Sequence, residues 1–139
     1  MAGFTWNEQE VQFVLYGAEG PVVRFVERLT GRTRDACESL CPKRTGQTSR
    51  SFRTEVRVEG QTVTGRVWSE DPVVRWLEEG TGIFGPTGRR IFPVRARVLR
   101  WEDRGQVFYA PSVAGMRAQP FMKRALTVGA RPFPVRDGR

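Results

Sequence analysis

The chain has 139 residues, enough for one domain with its own core, and no apolar run approaches the roughly 18 residues of a membrane-spanning helix. It carries 23 basic and 15 acidic residues, a formal net charge of +8, and no histidine. The missing imidazole excludes Ser-His-Asp and Cys-His nucleophilic sites, HExxH zinc sites and Cys/His zinc knuckles.

Only Lys43 and Lys123 are lysines, so arginine supplies the other 21 basic residues. A basic, arginine-rich chain invites a nucleic-acid reading. A genome that favours arginine codons explains the Arg:Lys ratio equally well, but it does not remove the positive field. The first residues have neither a basic n-region nor an apolar h-region, so synthesis in the cytoplasm is expected. Cys37 and Cys41 are too few for a zinc site, and a disulfide between them would distort a helix end. They read as thiols that pack as small apolar groups.

In chain order, a first helix is expected from Asn7, as N-cap, to Tyr16. Gly17, Gly20 and Pro21 interrupt it, and Pro21 suits the first turn of a second helix. Val22, Val26, Leu29, Thr33, Ala36 and Leu40 then mark one apolar stripe over about twenty residues. Gly31 is a weak point within it. Pro42 stops the helix, because the residue before a proline is pushed out of the α region.

A polar, turn-rich stretch leads to Phe52, Thr54, Val56 and Val58, which alternate with charged residues as in a half-buried strand. After Glu59-Gly60-Gln61, Val63, Gly65 and Val67 form the second strand of a hairpin. Asp71-Pro72 opens a short helix ended by Gly80, and a glycine-rich loop runs from Thr81 to Arg90. Ile91–Val94 and Val98–Trp101 read as extended, Glu102–Gly105 as a turn and Gln106–Tyr109 as a strand, giving a second hairpin. Gln119-Pro120 starts a last helix.

The expected class is α+β, an antiparallel sheet built from hairpins and packed by a long N-terminal helix and a short C-terminal helix. One domain is expected over residues 1–129: a helical segment 7–41, a sheet region 51–113 and a C-terminal helix 119–128. Residues 130–139 form an extended arm.

Gly80-Thr81-Gly82-Ile83-Phe84-Gly85 matches G-x-G-x-x-G letter for letter, but a helix rather than a strand precedes it and Pro86 follows. A dinucleotide site is therefore not expected there. Glu78 and Glu79 are adjacent on a helix and do not face each other, so they read as a solvated face or a subunit salt bridge. Asp71, Glu102 and Asp103 sit at turns and form no metal set. Arg89, Arg90, Arg95, Arg97 and Arg100 make the densest basic stretch, near Phe92 and Trp101. Phosphate contact with aromatic stacking, an intersubunit ion pair and a solvated strand face all fit them.

One series is more specific. Cys41-Pro42-Lys43-Arg44-Thr45-Gly46 leads to Ser49-Arg50-Ser51-Phe52 and a hairpin. Trp76-Leu77-Glu78-Glu79-Gly80-Thr81, Gly85-Pro86 and Arg89-Arg90-Ile91-Phe92-Pro93 follow. Gly115-Met116-Arg117-Ala118-Gln119-Pro120-Phe121-Met122 then leads to Ala125-Leu126. In order and spacing this series resembles the tail-completion, or head–tail connector, family of long-tailed bacteriophages. That family includes the minor tail protein Z type of lambda-like phages. The resemblance covers Val22 to Leu126 and rests on Pro42, Thr45, Gly46, Ser51, Glu79, Gly80, Thr81, Pro120, Phe121, Ala125 and Leu126. The family's leucine after Thr-Gly is Thr48 here, and its Tyr-Ala before the Glu-x-Gly-Thr element is replaced within Asp71–Arg75.

The resemblance implies a virion structural protein at the head–tail junction, with no catalytic residues, cofactor or metal. It would form a ring, often of six copies, between neighbouring neck proteins on the stopper or adaptor side and the tail terminator or tail tube. Non-specific contact with DNA in the channel is a further expectation, and no membrane is involved. Arg89, Arg90, Arg95, Arg97 and Arg100 are then candidates for subunit contacts or for facing DNA. The alternatives are a basic nucleic-acid-binding domain, or another phage role such as tail terminator or minor capsid protein. Thr81–Arg90 and the 130–139 arm are expected to order only on assembly, and to be cut first by protease.

Overall fold

The computed structural model describes residues 3–42 and 46–131. The class is α+β, with two small antiparallel sheets, a long N-terminal helix and a short C-terminal helix. The chain forms two compact units, one of residues 1–70 with 122–139 and one of residues 71–121.

In the first unit, α1 runs Glu8–Tyr16, and the Asn7 side chain accepts from the backbone N–H groups of Gln9 and Glu10. That cap satisfies donors the first turn leaves unpaired. α2 runs Pro21–Leu40 with its proline in the first turn, as expected. Its buried face shares Thr33 and Ala36 with the predicted stripe but is rotated from the rest of it. Val23, Thr30, Thr33, Ala36 and Cys37 are the buried positions, whereas Val22, Leu29 and Leu40 are only half-buried.

Two threonines can occupy that face because their hydroxyls are already bonded. Thr30 Oγ1 donates to the Val26 carbonyl at 2.7 Å and Thr33 Oγ1 to the Leu29 carbonyl at 2.9 Å. A satisfied hydroxyl buries at little cost. Cys37 and Cys41 are both buried and not disulfide-bonded, in keeping with a packing role.

After a 3-10 turn at Thr48–Arg50, β1 (Arg53–Glu59) pairs antiparallel with β2 (Thr62–Trp68). Thr54 faces Val67, Val56 faces Gly65 and Val58 faces Val63. α2 packs against both strands. At Gly65 a Cβ would run into the Thr30 and Val26 side chains, so glycine permits the close approach of β2 to α2. The base of the hairpin is tied by a 2.6 Å hydrogen bond between the Ser51 and Ser69 hydroxyls.

The last helix, α4, runs Met122–Gly129 rather than starting at Gln119. It packs on α2, not on the sheet as expected. Ala125 is fully buried, and Gly129 lies where a Cβ would meet the Thr33 backbone. Leu126 is 46% exposed. An alanine and a glycine at this contact let the two helix backbones approach closely. Of the predicted arm, residues 132–139 lie outside the described residues, and the Arg131 carbonyl accepts from Arg32.

The second unit contains α3 (Pro72–Glu79), a 3-10 turn at Gly82–Phe84, β3 (Leu99–Asp103) and β4 (Gln106–Ala110). Asp71 caps α3, accepting from Val73 N–H at 2.9 Å. β3 and β4 pair antiparallel around a two-residue turn in which Arg104 and Gly105 both have positive φ, 51° and 78°. This is the turn whose twist matches a tight hairpin. The hairpins do not join; each is a separate two-stranded sheet. The predicted strand at Ile91–Val94 is reduced to one bridge, Ile91 to Val113. Pro93 lacks the N–H a ladder needs, and residues 92–98 are not strand.

Candidate assembly surface

The Gly80–Gly85 segment, expected as a loose loop, is built into the second unit. Thr81 N–H donates to the Met116 carbonyl at 2.8 Å and Ile83 N–H to the Ala114 carbonyl at 2.8 Å. Met116 N–H returns a bond to Thr81 Oγ1 at 2.9 Å. Gln119 N–H donates to the Leu77 carbonyl at 2.6 Å, and Phe121 N–H to Glu78 Oε1 at 2.9 Å. The segment from Ala114 to Phe121 is thereby laced along the end of α3 and the turn that follows.

The lacing answers the G-x-G-x-x-G match as well. The N–H groups of Thr81, Ile83, Phe84 and Gly85 all donate to backbone carbonyls, and no helix follows to receive a phosphate.

The positions behind the family resemblance separate by unit. Gly80, Thr81 and Phe121 meet in the lacing, and Pro120 is exposed beside it. Glu79 pairs with Arg75 at 3.1 Å on exposed helix surface, while its neighbour Glu78 holds the Phe121 amide. Glu78, read from the sequence as a solvated face or a subunit salt bridge, instead accepts from the Phe121 amide, and the backbone roles of Ala114 and Met116 were not foreseen. At Gly115, whose φ is +97°, a Cβ would run into the Thr81 carbonyl, so glycine is needed at the crossing.

In the other unit, Pro42 is exposed, and the Gly46 carbonyl accepts from Ser49 Oγ at 2.9 Å and Arg50 Nε at 3.1 Å. Ser51 Oγ also lies 2.6 Å from the Thr48 carbonyl. Ala125 and Leu126 lie on α4. Thr45 falls outside the described residues.

Arg89, Arg90, Arg95, Arg97 and Arg100 are all exposed. Arg90 Nε donates to Ser112 Oγ at 2.9 Å. Among the described residues the ion pairs join Arg34 to Asp35 and Glu38, Arg57 to Glu55, and Arg75 to Glu79, so none engages these five. Arg95 and Arg97 lie in the non-strand stretch, so they do not form the solvated strand face that alternation suggested.

Large exposed apolar side chains lie near the arginines in the sequence. Trp101 stacks on Phe108 across the hairpin with centroids 5.5 Å apart, yet both stay more than a third exposed. Phe92 and Tyr109 are each 63% exposed, and Val94 is 97% exposed. Arg117 lies over the Phe84 ring at 4.9 Å. A two-stranded hairpin is marginal alone, and exposed aromatics on it mark a contact surface.

The protease expectation changes accordingly. A non-specific protease acting on the free chain should cut first within 92–98 and leave Gly80–Gly85 intact, read from fragment masses. First cuts inside Gly80–Gly85 would contradict the lacing.

No helix among the described residues is long and apolar enough to cross a membrane. Comparison with protein-family models, curated proteins and solved structures finds no match.

Proposed function

We propose that the chain is a virion structural protein, a tail-completion or head–tail connector subunit that forms a ring at the neck of a tailed bacteriophage. The ring would hold six copies, as the resemblance implies, and join the DNA-filled head to the tail. The observation that carries this reading is the exposed, arginine-flanked apolar surface of the second unit. Trp101 and Phe108, stacked on one face of the β3–β4 hairpin, and Tyr109 on its other face are exposed, as are Phe92 and Val94 earlier in the unit, and they suit burial against a neighbour. Two separate two-stranded sheets also leave open strand edges that a further chain can pair with.

The test is mass in solution. Native mass spectrometry and sedimentation of the full chain should give a discrete multiple of the protomer, or a complex with neighbouring head and tail proteins. A chain that stays monomeric at every concentration and binds none of them would remove the reading.

A second reading, a free nucleic-acid-binding domain, draws on the same exposed arginines, near Phe92 and Trp101 in the sequence. It requires DNA or RNA affinity that falls steeply with salt.

A further inference from the structure

The N-terminal segment and the basic stretch are complementary in both charge and surface. Through Val23 the chain has no basic residue and three acidic ones, Glu8, Glu10 and Glu19. Between Glu79 and Glu102 it has five arginines and no acidic residue. α1 buries none of its residues, and among the described residues none of those three carboxylates is in an ion pair.

The acidic segment is also aromatic. Phe4 and Trp6 meet edge to face at 5.0 Å and are 80% and 72% exposed. Phe13, three residues past Glu10 and so on the same helix face, is 56% exposed. An acidic aromatic segment and a basic aromatic surface, both exposed, match as two halves of one interface.

We infer that the N-terminal segment of one copy, Phe4 to Val14, docks on the 89–101 stretch and β3–β4 hairpin of the next copy. The contact is head to tail. It uses two different patches of the chain, as a closing ring requires and a two-fold dimer does not. Trp6 and Phe13 supply the apolar anchors, while Glu8 and Glu10 meet Arg95 and Arg97. The inference rests on the ring reading and names the surfaces that make it.

Charge swapping tests it on the full chain. Glu8→Arg with Glu10→Arg is one variant, and Arg95→Glu with Arg97→Glu is the other. All four side chains are exposed, so both variants should keep the parent's circular dichroism and melting. Each should need a concentration about tenfold higher or more to assemble. Mixed in equal amounts, they should assemble again as alternating copies, because each carries the patch the other lost. Recovery in the mixture is an outcome a folding defect cannot imitate.

If the parent assembles and either variant assembles equally well, or if the mixture fails to recover, the docking is wrong while the ring stands. A parent that never assembles overturns the ring and the docking together.

Discussion

Gly82→Ala is expected to lower the stability of the chain by about 3 kcal/mol or more, combining a left-handed backbone with a backbone collision. Gly82 has φ +64°, where a Cβ costs about 1–2 kcal/mol by itself. The added Cβ would also run into the Ala114 carbonyl and approach Gly115 Cα to 2.9 Å. These are backbone atoms fixed by the Ile83–Ala114 bond, so no side chain can swing aside.

Gly88 is the internal control. Its φ is +62°, nearly the same, but no atom lies within 4 Å of its ideal Cβ. Gly88→Ala should therefore cost only the conformational part, about 1–2 kcal/mol. The difference between the two urea midpoints measures the steric part. Faster hydrogen exchange at the Thr81 and Ile83 amides in Gly82→Ala would show that the lacing has opened. Equal losses for the two variants would mean that the 80–85 and 113–116 segments do not cross tightly.

This crossing is also where sequence reasoning fell shortest, for a physical reason. Helix starts at Asn7 and Pro21 and the stop at Pro42 are local events, carried by a capping side chain or a ring-locked φ, and they are legible residue by residue. Alternation at Thr54, Val56 and Val58 likewise reports the pairing of β1 with β2. The bonds from Thr81 and Ile83 to Met116 and Ala114 join backbone groups more than thirty residues apart, and such bonds leave no side-chain signature.

The inner face of α2 was hidden differently. Thr30 counts as polar in a periodicity, but its hydroxyl is satisfied within its own helix, so the buried face keeps Thr33 and Ala36 of the expected stripe and rotates toward Val23, Thr30 and Cys37. Alternation over Val94–Val98 misled because a strand also needs a partner, and Pro93 opens that stretch without a donor. The arginines of the candidate surface were legible as a basic run. Their lack of acidic partners, on which the docking inference turns, was not.

Phe121→Ala and Leu126→Ala should separate widely, although both residues belong to the same C-terminal motif and lose apolar atoms alike. Phe121 is 3% exposed and Leu126 is 46% exposed. Truncating a buried phenylalanine costs about 3–5 kcal/mol, because the transfer energy is lost and a cavity remains. At roughly 3–5 °C per kcal/mol for a chain of this size, the melting temperature should fall by about 10–20 °C. The Phe121 amide is held by Glu78, so its position in the chain is fixed and the site has little freedom to collapse around the smaller residue. Leu126→Ala removes atoms that already face solvent on α4 and should change stability by no more than about 0.5 kcal/mol. Thermal unfolding of the two variants beside the parent decides the matter. Comparable losses would mean that the α2–α4 contact involves Leu126 and is not set by Ala125 and Gly129 alone.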